Sequence, residues 1–149
     1  MDKQKYLQKY FDDLRKVINF DNEKILDLIK VSEIITKASK IGKKTLIFGN
    51  GGSAAIASHF SVDLTKNARI RCVNYNESDL LTCFSNDFGY ERWVEKCIEY
   101  YGDENDVVIL ISAGGNSENM INGAKKAKEM NFDKIITLTG NDKNNKLSK

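Results

Sequence analysis

The sequence predicts an α/β fold in which a doubly wound parallel sheet follows an N-terminal helical hairpin. Two continuous aliphatic runs, Val107 to Ile111 and Ile135 to Leu138, are typical of strands covered on both faces. A short apolar strand from Thr45 to Phe48 leads into a glycine turn and then a helix. Strands that alternate with helices in this way favour parallel pairing through right-handed crossovers.

Two amphipathic helices are predicted ahead of the sheet. Apolar residues recur at helical spacing from Leu7 to Ile18 and from Ile25 to Ala38, and Asp21 is placed to cap the second helix. This helix is expected to end at Gly42, since glycine commonly follows a helix. The remaining pattern predicts a strand near 70–73 and helices at about 53–66, 77–85, 90–100 and 120–130, with a break at 86–89 between two of them.

The composition favours a single globular domain spanning residues 1–149, with 41% hydrophobic and 30% charged residues. Basic and acidic residues are nearly balanced, 23 against 21, which disfavours nucleic acid as a partner. No apolar run is long enough for a membrane span, and the N-terminal residues do not resemble a signal peptide. We therefore expect a cytoplasmic protein that has no membrane partner.

The three cysteines, Cys72, Cys83 and Cys97, are odd in number and widely spaced. Neither a disulfide framework nor a zinc site built from thiolates fits this spacing. We expect all three to be buried, inert thiols, because free cysteine commonly acts as a small core residue.

Two glycine turns are the main candidates for a ligand site. The first, Asn50 to Ser53, follows one apolar strand, and the second, Ser112 to Ser117, follows another. Glycine permits close backbone approach, and the free amides at a helix start, helped by the Ser53 hydroxyl, attract anions. For either turn alone, capping and chain reversal are the simpler interpretation. Together, at the carboxyl ends of two strands, the turns favour a phosphorylated ligand.

The sequences of the same two turns give less support for nucleotide binding. Neither turn carries the pattern G-x-x-x-x-G-K-[ST], which disfavours a mononucleotide P-loop. The segment from Gly49 to Ala54 loosely matches the dinucleotide fingerprint, but no acidic residue closes the second strand, where Val73 is followed by Asn74.

His59 is the only histidine, and Asp63 follows it by one helical turn. The pair is suited to metal binding or proton transfer, although a surface or core pair without a function has the same spacing. Asn86 and Asp87 are placed either to cap a helix or to bind a substrate hydroxyl. The aromatic residues near them are expected to serve helix packing rather than base stacking: Tyr90, Trp93, Tyr100 and Tyr101.

Five segments, taken in order, resemble the phosphoheptose isomerases of the sugar isomerase (SIS) domain superfamily. The resemblance runs from the N-terminal helices to about Asp142 and is carried by the segments 49–55, 59–60, 85–90, 112–117 and 137–140. It implies a flavodoxin-like SIS domain in a homotetramer, with active sites at the subunit interfaces. It also implies conversion of sedoheptulose 7-phosphate to D-glycero-D-manno-heptose 7-phosphate through an enediol.

The resemblance assigns roles by position. His59 and Asp63 correspond to zinc ligands and catalytic residues, with Asp63 as the general base. Substrate contacts are implied for Asn50, Gly51, Gly52, Asn86 and Asp87. A phosphate cradle is implied for Ser53, Ser112 and Ser117, and further substrate contacts are implied for Ala113 and Gly114.

Three departures from the family pattern bear on these roles. Asp63 stands where the family usually has glutamate, and Ala113 and Gly114 replace two residues with hydroxyl groups. The C-terminal strand and helix of the family, which carry a glutamine and a histidine, have no counterpart in these 149 residues. We expect a shortened chain with weak or absent metal binding and little turnover. The alternatives are a non-catalytic SIS module that binds a phosphosugar or a protein, and an isomerase of another phosphosugar.

Overall fold

The computed structural model describes residues 2–140 and 144–148. The chain divides into two compact units, one up to Glu33 and one from Ile34 onward. The first unit contains α1 (Lys3–Ile18) and the beginning of α2 (Asn22–Lys40). The second unit contains the rest of α2 and the whole sheet.

Capping explains where the first two helices begin. The Asp2 carboxylate accepts hydrogen bonds from the backbone N–H groups of Gln4 and Lys5, and Asp21 accepts one from Lys24 N at 2.9 Å. Both predicted N-terminal helices are confirmed. Every residue from Asp2 to Lys30 is nevertheless exposed, so α1 and the start of α2 leave their apolar stripes uncovered in the part of the chain that the structure describes.

Within the described residues the sheet has four parallel strands: β1 (Thr45–Gly49), β2 (Cys72–Val73), β3 (Val107–Ser112) and β4 (Lys134–Thr139). Their order is β2-β1-β3-β4, so the chain moves outward from β1 in one direction and from β3 in the other. The reversal lies between β1 and β3. This is the switch point at which parallel α/β sheets bind ligands. The predicted doubly wound α/β fold is confirmed.

In the part of the chain that the structure describes, four α-helices follow α2: α3 (Gly52–Lys66), α4 (Ser78–Phe88), α5 (Trp93–Tyr101) and α6 (Glu118–Glu129). Short 3-10 turns lie at Tyr90–Arg92 and Lys146–Ser148. The crossover through α3 and the crossover through α6 run in opposite directions along the sheet. Right-handed connections therefore place α3 and α6 on opposite faces.

The core is built around β1 and β3, every residue of which is buried. Side chains of alternate residues, including Phe48 and Leu110, pack with Trp93 of α5 and Met120 of α6 in one cluster. Because parallel strands in the middle of a sheet are covered on both faces, their sequences read as continuous apolar runs.

Strand β4 differs from the prediction. Its aliphatic run was expected to be covered on both faces, but only Ile136 is buried and Leu138 is 43% exposed. The reason is that β4 forms the edge of the described sheet, which an apolar run cannot reveal by itself.

Two other local predictions are corrected. The strand near 70–73 is limited to Cys72 and Val73. The break expected at 86–89 occurs only at Gly89, whose φ of 91° ends α4, so Asn86 and Asp87 lie in the last helical turn.

The cysteine prediction holds for two residues and is wrong for the third. Burial raises the pKa of Cys72 and of Cys97 to about 12, so both thiols stay protonated. Cys83 is exposed on α4, where its Sγ lies 3.7 Å from the Asp87 carboxylate. No described helix is both long and apolar enough to cross a membrane.

A buried ion pair joins the amino ends of β1 and β3. Lys44 Nζ lies 2.5 Å from Asp106 Oδ2 and 2.6 Å from Asp103 Oδ2. The fully buried Asp106 also accepts hydrogen bonds from the backbone N–H groups of Lys44 and Asp103. The carboxylate thus has three donors, as a buried charge requires.

Candidate active site

The two glycine turns lie side by side at the carboxyl edge of the sheet. Strand pairing aligns Gly49 at the end of β1 with Ile111 near the end of β3, and it aligns Ser112 with Thr139 of β4. The Gly140 N–H then donates to the Ala113 carbonyl at 2.9 Å. The loops after β1, β3 and β4 therefore meet at the switch point.

The first turn is shaped by glycine. Gly51 has a φ of 53°, and a Cβ at Gly51 or Gly52 would meet nothing within 4 Å, so this backbone faces open space. The N–H groups of Ser53 and Ala54 already donate to the carbonyls of Asn50 and Gly51, at 2.9 and 3.0 Å. The expectation of free amides at the start of α3 is wrong for these two residues, because a tight first turn uses them.

The second turn presents a pair of hydroxyl groups. Ser117 is the N-cap residue of α6, yet its side chain makes no capping hydrogen bond. Its Oγ lies instead 3.1 Å from Ser112 Oγ. Gly114 again faces open space, and Gly115 has a φ of 61°. Two hydroxyls and the positive end of a 12-residue helix form an environment suited to an anion.

The C-terminal residues pack under the second turn. A Cβ at Gly115 would overlap the side chain of Asn145, which is 1% exposed. The N–H of Leu147 donates to the Gly115 carbonyl at 3.0 Å, and the N–H of Lys146 donates to Asn116 Oδ1 at 3.1 Å. The C-terminal segment is polar in sequence, and its composition did not predict that it packs against the second turn. Residues 141–143 lie outside the described part.

Asn50 belongs to a side-chain network that includes two residues not predicted for the site. Its Nδ2 donates to Asn119 Oδ1 at 3.0 Å, and Asn119 Nδ2 donates back to Asn50 Oδ1 at 2.8 Å. The Tyr90 hydroxyl donates to the same Asn50 oxygen at 3.0 Å. The sequence held one signal for Asn119: it directly precedes Met120, and both residues are buried on the side of α6 that faces the core.

His59 and Asp63 lie on one face of α3, about two turns after Gly52. His59 Nε2 is 3.6 Å from Asp63 Oδ2, and the two side chains are 79% and 50% exposed. Asn67 Nδ2 donates to the other Asp63 oxygen at 3.0 Å.

The predicted zinc site is not complete among these residues. No group of three or more His, Cys, Asp or Glu side chains converges in residues 2–140 and 144–148. Catalytic zinc commonly has three protein ligands, so His59 and Asp63 do not by themselves fit the ion.

Asn86 and Asp87 remain apart from the Asn50 network. Both are exposed, and Asn86 Nδ2 donates to Asp87 Oδ1 at 3.0 Å. The link from this segment to the first turn is made by Tyr90, which is 51% exposed rather than packed in the core. The packing role predicted for this tyrosine is therefore wrong, whereas Trp93 is fully buried as expected.

Comparison with known proteins defines the class first: the SIS domain family profile matches residues 6–140. Phosphoheptose isomerase of Photorhabdus laumondii is 38% identical over 141 residues, covering 91% of this chain and 72% of that protein. Phosphoheptose isomerase of Clostridium acetobutylicum is 38% identical over 122 residues, covering 77% of this chain and 62% of that protein. The chain belongs to the phosphoheptose isomerase family of SIS domain proteins.

Solved structures agree with this assignment. Phosphoheptose isomerase of Neisseria gonorrhoeae has a TM-score of 0.85 and 30% identity, covering 99% of this chain and 79% of that one. The enzyme of Francisella tularensis has the same TM-score of 0.85 at 24% identity, which supports the fold alone. The chain spans 62% to 72% of the length of the two relatives named above.

Proposed function

We propose that this protein is a phosphosugar aldose-ketose isomerase that converts sedoheptulose 7-phosphate to D-glycero-D-manno-heptose 7-phosphate. The observation that carries the proposal is the Ser112 and Ser117 hydroxyl pair at the start of α6, next to an open glycine turn at the switch point. In a chain of the phosphoheptose isomerase family, this arrangement supports a phosphate anchor with the sugar extending toward Asn50.

The reaction moves one proton between adjacent carbons. A base removes a proton from C1 of the ketose while O2 takes up a proton, which gives the C1–C2 enediol. A proton then returns to C2 while the O1 proton leaves, which gives the aldehyde and leaves a hydroxyl at C2. We assign the base to Asp63, whose carboxylate lies near His59 on α3. Anchoring the phosphate at the second turn would hold the sugar in place and lower the entropic cost of this transfer.

An isotope experiment tests the assignment. The purified chain is incubated with sedoheptulose 7-phosphate in D₂O, with and without zinc, and C1 is followed by NMR. We expect slow deuterium incorporation at C1, slow formation of the aldose, and loss of both in the D63N variant. Absence of any sugar-phosphate binding would refute the proposal.

A second candidate is a non-catalytic SIS module that binds a phosphosugar or a protein partner. The observation in its favour is the high exposure of His59 and Asp63 without a third metal-binding group in the described ranges. Tight binding of sedoheptulose 7-phosphate without deuterium at C1 and without formation of the aldose would support this function instead.

Zinc binding by His59 and Asp63 is part of the proposal, with further ligands required to complete a site. Zinc titration of the chain and of H59A tests it: we expect weak binding that H59A removes. Equal binding by both proteins would exclude His59 as a ligand. No step of the proposed reaction is assigned to the metal.

We also propose that the chain assembles as a homotetramer in the cytoplasm, where phosphorylated sugars are found. The support is the apolar surface that α1 exposes, formed by Leu7, Tyr10, Phe11, Leu14, Val17 and Ile18. A surface of this kind commonly marks an interface. Sedimentation velocity tests the assembly, and L14E is expected to shift the chain toward the monomer.

A further inference from the structure

We propose that Asn119 and Tyr90 are positioning residues that turn the Asn50 side chain so that it presents an N–H donor, and not its carbonyl oxygen, to the sugar. The inference rests on the proposed function, which places a phosphosugar next to Asn50. It adds two residues to the site and gives Asn50 a defined chemical role.

Counting hydrogen bonds around Asn50 gives this orientation. An amide oxygen accepts two hydrogen bonds and an amide nitrogen donates two. Both acceptor positions of Asn50 Oδ1 are used, by the Tyr90 hydroxyl and by Asn119 Nδ2. One hydrogen of Asn50 Nδ2 is used by Asn119 Oδ1. Within the described residues, the second Nδ2 hydrogen is the only hydrogen-bonding capacity of this side chain that has no partner.

Asn119 is itself held firmly. It is 2% exposed, and its Oδ1 also accepts from the Met120 N–H at 3.1 Å. Its oxygen therefore takes two donors, and rotating the amide by 180° would set its nitrogen against the Met120 N–H. The orientation of Asn119 then determines that of Asn50, because two facing amides pair only when each nitrogen meets the other's oxygen.

A donor at this position suits the chemistry. Negative charge develops on the sugar oxygens as the enediol forms, and a preorganised N–H group stabilises such charge without reorganisation during the reaction. A carbonyl oxygen in its place would repel the same charge. Fixing the amide in advance thus removes the wrong orientation before the sugar binds.

Three variants and a matched control test the proposal. Y90F removes one hydrogen bond to Asn50 Oδ1, and N119D replaces the donor facing that oxygen with a second oxygen. N50D removes the N–H group itself. The control is N122D, because Asn122 lies on the same helix and donates to the Glu91 carbonyl without contacting Asn50. It introduces the same charge as N119D.

The measured quantity is the ratio of two affinities, for sedoheptulose 7-phosphate and for inorganic phosphate. A change in charge near the phosphate alters both affinities, so their ratio reports on the sugar contact. We expect Y90F and N119D to lower this ratio about 3- to 10-fold, the effect of one hydrogen bond, and N50D to lower it at least as much. N122D should leave it within about twofold.

The side-chain NH₂ signals of Asn50, assigned by their loss in N50D, provide an independent measurement. We expect Y90F and N119D to shift these signals and speed their exchange with solvent, and N122D to leave them in place. Unchanged signals and an unchanged affinity ratio in Y90F and N119D would overturn the inference. If the wild-type chain bound no sugar phosphate, the proposed function would fail, whereas the Asn50 signals would still decide the orientation.

Discussion

Replacing Asp106 with asparagine should destabilise the fold strongly while leaving the candidate site intact. The substitution removes the buried negative charge and leaves the Lys44 ammonium, whose side chain is 11% exposed, without its buried partner. Removing one member of a buried pair costs about 3–5 kcal/mol. Asp103 stays 2.6 Å from Lys44 Nζ, but its side chain is 67% exposed, so water screens its attraction and it offsets only a small part of this cost.

We therefore expect D106N to lower the free energy of unfolding by about 3 kcal/mol. Urea denaturation at fixed protein concentration measures the change. With an m-value of about 1–3 kcal/mol per molar, the midpoint should fall by about 1–3 M. D103N, the exposed control, should lower the midpoint much less than D106N does, because water screens the attraction between Asp103 and Lys44.

Two results would contradict this reasoning. A loss below about 1 kcal/mol in D106N would mean that the buried carboxylate contributes little beyond a neutral hydrogen-bonding group. Loss of phosphate binding in the folded variant would mean that the two edges of the sheet are coupled. The ion pair lies at the amino ends of β1 and β3, opposite the glycine turns, so independence is expected.

Three further predictions concern the site and its surroundings. G115A should lower the free energy of unfolding by about 2 kcal/mol, because alanine disfavours a φ of 61° and its Cβ would overlap the side chain of Asn145. The control G114A should keep the wild-type melting temperature, because a Cβ at Gly114 meets nothing within 4 Å. S117A should weaken phosphate binding about 3- to 10-fold by calorimetry with little change in melting temperature, since this hydroxyl makes no capping bond. Hydrogen bonds from Arg92 lower the pKa of Glu95 in the folded protein. Ionised Glu95 therefore stabilises the fold above its unfolded pKa of about 4.3, and this contribution is lost as the pH falls through the lower pKa of the folded state. E95Q should remove that part of the acid dependence of stability.

Much of the fold could be predicted because its signals are local. The helical spacing in α1 and the continuous aliphatic run of β3 depend on residues a few positions apart. The glycine turns after β1 and β3 could be located for the same reason, since a strand, a turn and a helix follow each other directly in sequence. Local patterns do not report which strand lies at the edge, and this explains the error for β4.

The candidate site was predictable only in part. Its glycines and serines lie in recognisable turns, but Asn119 and Tyr90 reach Asn50 from 69 and 40 positions away. Such contacts depend on the strand order and on the position of α6 relative to the first turn.

The sequence by itself determined the elements, their apolar faces and the placement of both glycine turns at strand ends, because these follow from the spacing of residue types. Only the tertiary structure decided which side chains meet there. It paired the amides of Asn50 and Asn119, placed Asn145 beneath Gly115, and left Cys83 exposed. The physical reason is that a hydrogen bond needs its two partners within about 3 Å, and at long sequence separation only the packed sheet and helices set that distance.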